Sequence, residues 1–286
     1  MATKMCRMKW SNGLFAACIL LIFLFFGACS PNNVTKEDSL KSFFDSSKVD
    51  GCFALYDNGT GQFTVYNLSR YKDSAYLPAS TFKIVSSLIG IETGRIVNEK
   101  MIIKWDGIVR KHDNGDTIKE WNKDLTMAEA FKVSCVPYYQ EVARRIGKDT
   151  MQQWLDSIKY GNKKIGNRVD SFWLDNSLKV TPDEQLGLVK KLYFNQLGFQ
   201  KRTQEIVKKV MLREDNANYK LYYKTGLGYK EDGKSIGWIV GWIEENRHPY
   251  FFVLNLEGEH NADLVTARMN ILTGILKKEG FFEGKR

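Results

Sequence analysis

Strand-like segments sit at the two ends of this 286-residue chain and helix-like segments fill its middle, so a sheet must be assembled from residues remote in sequence. Near the start, the apolar runs Cys52–Tyr56 and Phe63–Tyr66 flank Asp57-Asn58-Gly59-Thr60-Gly61, which is a hairpin signal. Near the end, Tyr219–Thr225, Gly237–Ile243 and Tyr250–Leu256 are separated by turns containing Gly, Asp or Pro. Short turns make such neighbours antiparallel. Between the two groups, Thr126-Met127-Ala128-Glu129 and Thr181-Pro182-Asp183-Glu184 are capping-box patterns, the second with Pro at the first helical position. Pro137 opens a helix to about Ile146, and Asp149 or Thr150 caps one through Trp154 to Ile158. A last amphipathic helix runs from about Asp263 to Lys278 and is closed by Gly280. The fold class expected is α/β of the α+β type. It has a central antiparallel sheet from both chain ends, flanked by helices, with an all-helical lobe inserted between the second and third strands and a cleft between lobe and sheet.

The first residues follow a different rule. Lys4, Arg7 and Lys9 make a basic start, and Leu14–Phe26 is an unbroken apolar run. That run is shorter than the roughly 20 residues a bilayer span needs, and it fits the apolar part of a secretory signal. Gly27-Ala28-Cys29 then places two small residues before a Cys, as at a bacterial lipoprotein cleavage site, where Cys29 becomes the lipidated first residue. Cleavage by an ordinary signal peptidase, with Cys29 incidental, is the alternative. Residues 1–28 are read as a signal peptide, 29–40 as a tether and 41–286 as the folded domain. Its sheet part covers about 41–92 and 216–286, and its lobe about 93–215. The destination implied is the periplasm of a Gram-negative bacterium, with attachment to the envelope through the N-terminal lipid. Oligomeric state is not legible.

Charge and cysteine usage exclude some functions. Removing Lys4, Arg7 and Lys9 lowers the formal charge of +9 by three, and the remaining Lys and Arg are interspersed with Asp and Glu. With no basic stripe, nucleic acid is not an expected partner. Three His and five Cys are scattered, so no metal is expected. Cys52 and Cys135 either pair or remain two buried free thiols. Sequence does not place them within bonding distance, and free thiols are the reading adopted.

The chemistry centres on Ser80-Thr81-Phe82-Lys83, which opens an apolar helix to about Ile89. Spacing of three puts Ser80 and Lys83 on one helix face, with the hydroxyl at a helix N-terminus and an amine in reach of its proton. The spacing alone is weak, since Ser69-Arg70-Tyr71-Lys72 repeats it; that copy is read as a surface loop. Later motifs change the weight. Ser134-Cys135-Val136 sits at a helix join, followed by Tyr160-Gly161-Asn162, Phe172-Trp173-Leu174 and the strand-borne Lys224-Thr225-Gly226.

In combination and order these motifs resemble the class D, oxacillinase-type, serine β-lactamases. The likeness covers essentially the whole mature chain. It extends to Lys104-Trp105-Asp106-Gly107, Gly237-Trp238, Val240-Gly241-Trp242 and Arg268. The resemblance implies the serine β-lactamase and penicillin-binding-protein fold, and a β-lactam as substrate. It implies Ser80 as nucleophile and Lys83, carboxylated by carbon dioxide, as general base. No other cofactor is implied. Trp173 would donate to the carbamate. Ser134 would relay a proton to the leaving nitrogen beside Lys224. Thr225, Gly226 and Arg268 would hold the substrate carboxylate, with Val136 and Leu174 lining the site. The Ser80 and Leu227 N–H groups would form the oxyanion hole. Tyr160-Gly161-Asn162 is given a structural role at the cleft rim. Leu227 stands where several relatives carry an aromatic, and Cys135 fills a variable position. The turn Gly228–Ser235 borders the site.

Two other readings compete. A penicillin-binding or β-lactam-sensing protein would acylate and deacylate slowly. A non-catalytic envelope-binding lipoprotein would share the anchor but gives no reason for nucleophile, base, relay and Lys-Thr-Gly to occur together.

Overall fold

The computed structural model describes residues 33–112 and 114–286. The signal sequence and Cys29 lie outside the described residues. In chain order the elements are β1 (Val34–Lys36), α1 (Lys41–Ser46), β2 (Asp50–Asp57), β3 (Phe63–Tyr66), α2 (Leu68–Asp73) and α3 (Lys83–Glu92). There follow β4 (Ile102–Ile103), β5 (Leu125–Thr126), α4 (Met127–Lys132), α5 (Val136–Ile146), α6 (Lys148–Ile158), α7 (Pro182–Tyr193) and α8 (Lys201–Met211). The chain closes with β6 (Leu212–Asp215), β7 (Tyr219–Tyr229), β8 (Ser235–Glu245), β9 (His248–Gly258) and α9 (Leu264–Lys278).

Among the described residues, seven strands form one sheet in the order β1-β3-β2-β9-β8-β7-β6. The join between chain ends is β2 against β9, antiparallel from Asp50↔Glu257 to Asp57↔Tyr250. Both faces of this sheet are covered, which is why its central strands read as nearly continuous apolar runs. Alternate side chains go to alternate faces. Cys52, Ala54, Trp238, Val240, Phe251 and Val253 join the core beneath α3, α5 and α7. Phe53, Leu55, Ile239, Ile243, Phe252 and Leu254 join the core under α1 and α9. The cap geometry expected at Thr126 and Thr181 is present: each hydroxyl accepts from the backbone of the Glu three residues on, whose carboxylate reaches back.

Several expectations need correction. The tether does not extend to residue 40: Val34–Lys36 is a parallel partner of β3, and Leu40 is fully buried. Three residues are too few to show a period, so this strand has no sequence signature. The sheet part resumes at Leu212 rather than 216, because β6 pairs with β7. The inserted lobe is not all-helical: Ile102–Ile103 pairs with Leu125–Thr126. It follows the third strand, not the second, once β1 is counted. The Ser69–Lys72 copy is not a loop but lies in α2. Asn67 caps that helix, and Arg70 reaches Asn255 and Glu257 on β9 at 2.9 and 3.0 Å. The turn after β7 is shorter than Gly228–Ser235, since pairing with β8 continues to Tyr229↔Ser235.

Leu254→Ala is expected to cost about 2–5 kcal/mol, because a fully buried side chain is replaced by a cavity. Thr181→Ala is expected to cost about 1 kcal/mol through the lost cap. Urea denaturation of both variants checks the ratio.

Candidate active site

Ser80 sits in a 3₁₀ turn, Ala79–Phe82, that leads directly into α3. Ala79 has φ +47°, a left-handed conformation that costs a residue with a Cβ of order 1 kcal/mol or more. The surroundings hold it there. The Ala79 N–H donates to Trp173 O at 3.1 Å, and the Trp238 indole donates to Leu77 O at 2.9 Å. The Thr81 hydroxyl donates to Pro78 O at 2.6 Å and accepts from Gln185 Nε2 at 2.6 Å. Tyr160 OH in turn donates to Gln185 Oε1 at 3.2 Å. From the sheet side β7 comes close because two of its residues lack side chains. A Cβ on Gly226 would lie 3.0 Å from Pro78 O, and one on Gly228 would lie 2.7 Å from Leu77 Cδ1. The Ser80 turn is thereby set against the strand that carries Lys224-Thr225-Gly226.

Lys83 Nζ donates to Ser80 Oγ at 2.8 Å. The amine is fully buried, and desolvation lowers its pKa to about 7. The Tyr139 ring lies 5.4 Å from the amine, and next to Lys83 in the chain Phe82 stacks on Trp173 at 5.4 Å while Phe172 meets both rings edge-on. Trp173 Nε1 is buried and has no hydrogen-bond partner among the described residues. An orphaned buried donor costs about 1–3 kcal/mol, and the arrangement fits an acceptor placed on the Lys83 amine, as a carbamate would be.

Across the cleft, Ser134 occupies the join between α4 and α5 with φ +58°. The Ser134 and Cys135 N–H groups donate to Phe131 O and Ala130 O. Lys224 Nζ donates to Ser134 Oγ at 3.0 Å and to Thr225 O at 2.9 Å. Burial holds the Lys224 ammonium well below its usual range, with Lys83, Arg213 and Arg268 adding repulsion. Arg268 NH1 donates to Gly226 O at 2.8 Å, and its Nε is buried without a partner among the described residues. Among the described residues, none of Lys83, Lys224 or Arg268 forms a carboxylate ion pair. The cleft brings three basic side chains, Lys83, Lys224 and Arg268, to Ser80, a residue that exposes 8% of its surface, an arrangement suited to an anionic ligand.

The chain matches the penicillin binding protein transpeptidase domain over residues 51–277. It is 36% identical to Beta-lactamase OXA-5 of Pseudomonas aeruginosa over 94% of this chain and 98% of that one. The solved class D β-lactamase YbXI of Nostoc superposes with a TM-score of 0.79 at 35% identity, covering 85% of this chain and 99% of that one. The chain belongs to the class D serine β-lactamases. A regulatory relative also matches: BlaR1 of Bacillus licheniformis is 33% identical over 87% of this chain and 40% of its own length.

Ser80, Lys83, Ser134, Lys224, Thr225, Gly226 and Arg268 are joined by the contacts above. Val136 and Leu174 are half-buried, at the start of α5 and directly after Trp173. Leu227 exposes 37% of its surface, so its side chain points outward while its backbone runs beside the nucleophile turn. Tyr160 is not at the rim: it is buried beneath the turn, and its role runs through Gln185. Asn162 stays at the surface, bonded to Ser177 O and the Lys179 N–H. Cys52 and Cys135 are free, buried thiols. Sequence reasoning missed Gln185, whose place in a capped helix carries no signal, and the strain at Ala79.

The buried Lys83 ammonium should destabilise the fold. Its folded pKa, about 7, lies below the unfolded value of 10.5. The penalty is therefore full below pH 7 and fades as pH rises towards 10.5. Lys83→Met is expected to raise Tm in bicarbonate-free buffer, and the gap to the parent protein should narrow between pH 7 and pH 9 by scanning calorimetry.

Proposed function

We propose that this chain hydrolyses β-lactams through an acyl-enzyme on Ser80. The carrying observation is the Lys83 amine, 2.8 Å from Ser80 Oγ and dry enough to lie near neutrality in pKa. An amine of that pKa takes the hydroxyl proton at physiological pH, which an ordinary lysine does not. Ser80 Oγ then attacks the lactam carbonyl carbon. The oxygen gathers charge against the Ser80 and Leu227 N–H groups, each such donor being worth about 2.7–4 kcal/mol. The C–N bond breaks, and Ser134 passes a proton to the ring nitrogen while Lys224 faces it. Thr225 and Arg268 hold the substrate carboxylate, the guanidinium being aimed by its bond to Gly226 O. Val136, Leu174 and Phe82 keep bulk water away from the base. The proton taken up by Lys83 replaces the one Ser134 gave to the ring nitrogen, and Lys83, neutral again, activates the water that splits the ester.

Carboxylation of Lys83 by carbon dioxide would supply an anionic base at the same atom. Trp173 Nε1, which lacks an acceptor, is the residue to hold it. The likeness to BlaR1 supports a second reading, in which Ser80 is acylated but released slowly.

A penicillin time course with and without bicarbonate separates these readings. Bicarbonate-enhanced multiple turnover is expected; a burst of one equivalent would favour the sensor. Ser80→Ala should abolish turnover. Trp173→Ala should lose activity that excess bicarbonate partly restores, and unchanged bicarbonate dependence removes Trp173 from this role.

The same proposal extends to location. The basic start, the apolar run Leu14–Phe26 and Gly27-Ala28-Cys29 support export, cleavage after residue 28 and lipidation of Cys29, leaving the enzyme anchored in a Gram-negative periplasm. Among the described residues, no helix is long and apolar enough to cross a membrane. Metabolic labelling with a fatty acid should mark the parent chain and not Cys29→Ala.

A further inference from the structure

One half-buried cation near the cleft has no place in the scheme above. Arg213 lies on β6, the outermost strand of the sheet beyond β7. The β6–β7 register runs Leu212↔Tyr222 and then Glu214↔Leu221, so Arg213 is the extra residue of a β-bulge. Bulges turn a side chain away from its regular direction. Here the Arg213 Nε donates to Tyr223 O at 3.2 Å, on the first residue of β7 past the last paired position. Its guanidinium lies 5.8 Å from the centre of the Phe131 ring and 5.5 Å from that of Tyr223. Lys224 Nζ lies 5.6 Å from the same Phe131 ring. One aromatic side chain thus serves two cations, one from each of two adjacent strands.

Among the described residues, Arg213 forms no carboxylate ion pair. Glu214, its neighbour, is engaged by the Tyr219 hydroxyl. The charged groups acting on Lys224 are Lys83 from α3, Arg213 from β6 and Arg268 from α9, all of one sign. Half-burying a guanidinium with no counter-ion is costly in a fold that needs only the hydrogen bond to Tyr223 O. An anionic substrate arriving at Lys224-Thr225 is the counter-charge this arrangement lacks.

We propose that Arg213 is a positioning residue for β-lactam turnover: held by the β6 bulge against Tyr223 O and the Phe131 ring, it adds fixed positive charge beside Lys224 and draws the substrate carboxylate to the open edge of β7. The proposal rests on the β-lactam reading of Ser80 and Lys224, so turnover by the parent protein is measured first; its absence would fault that reading, and not Arg213. Arg213 acts through its neighbours and touches no reacting atom.

Two variants separate charge from scaffold. Arg213→Gln keeps a donor for Tyr223 O and removes the charge, and Arg213→Lys keeps the charge. Both are measured for Tm and for kcat and KM against pH with one penicillin. The Gln variant is expected to raise KM about threefold to tenfold, the effect of losing one cation near a bound carboxylate. It should also move the Lys224-governed limb of the pH profile to higher pH. The sign holds whichever form of Lys224 the reaction needs, because removing a like charge makes Lys224 hold its proton more tightly. Arg213→Lys should restore both readouts towards the parent values. If KM and the pH limb are unchanged in Arg213→Gln, the proposal fails. If both variants lose activity in step with Tm, with no shift of the limb, Arg213 is only a strut for the strand edge, and the proposal also fails.

Discussion

Two lysine side chains are held out of water with, among the described residues, no carboxylate paired to them, and much of the molecule is arranged around keeping them so. Lys83 and Lys224 are both buried, on elements that come from opposite ends of the chain. A salt bridge to either would be easy to build and would fix the amine in its charged form. The fold instead sets Lys83 beside the Tyr139 ring and Lys224 over Phe131. Two cores on the two faces of one sheet offset the cost. The reactive site is thus the least relaxed part of a well-packed structure, as expected where function sets the local geometry.

The same tension shows in the backbone. Ala79 and Ser134 both have positive φ, one beside Ser80 and the other carrying the hydroxyl that accepts from Lys224. Neither residue is a glycine, so each conformation is enforced by its neighbours. For Ala79 these are the Trp173 carbonyl, the Trp238 indole bonded to Leu77 O, and the close backbone approach of Gly226 and Gly228. The buried line Tyr160–Gln185–Thr81–Pro78 supports the turn from below. Residues that never touch a substrate therefore determine where the serine hydroxyl stands.

How far the sequence discloses this depends on the range of the interaction. Ser80 with Lys83, and the two capping boxes, are local patterns, and they were legible with their partners. Ser134 and Lys224 were legible as motifs, but the 3.0 Å bond between them is a product of tertiary folding. The strand signals at both ends foretold a shared sheet; β1 escaped because three residues carry no period. The Ser69 copy was misread because Arg70 finds Asn255 and Glu257 nearly two hundred residues later. Gln185 and Arg213 were invisible for the same reason: each is an ordinary polar residue until distant backbone surrounds it.

The pairing of β2 with β9 has a consequence in time as well as space. The central strand, β9, is made some two hundred residues after its partner β2, so the first strands must wait for it with their apolar faces uncovered. Pairings that close such long loops are slow, and intermediates that lack them are exposed to aggregation. A chain cut short before His248 would therefore lack the middle of its sheet rather than an outlying piece, and Ser80 and Lys83 would have no floor to rest on. Catalytic competence in this architecture therefore arrives only after β9 has been made.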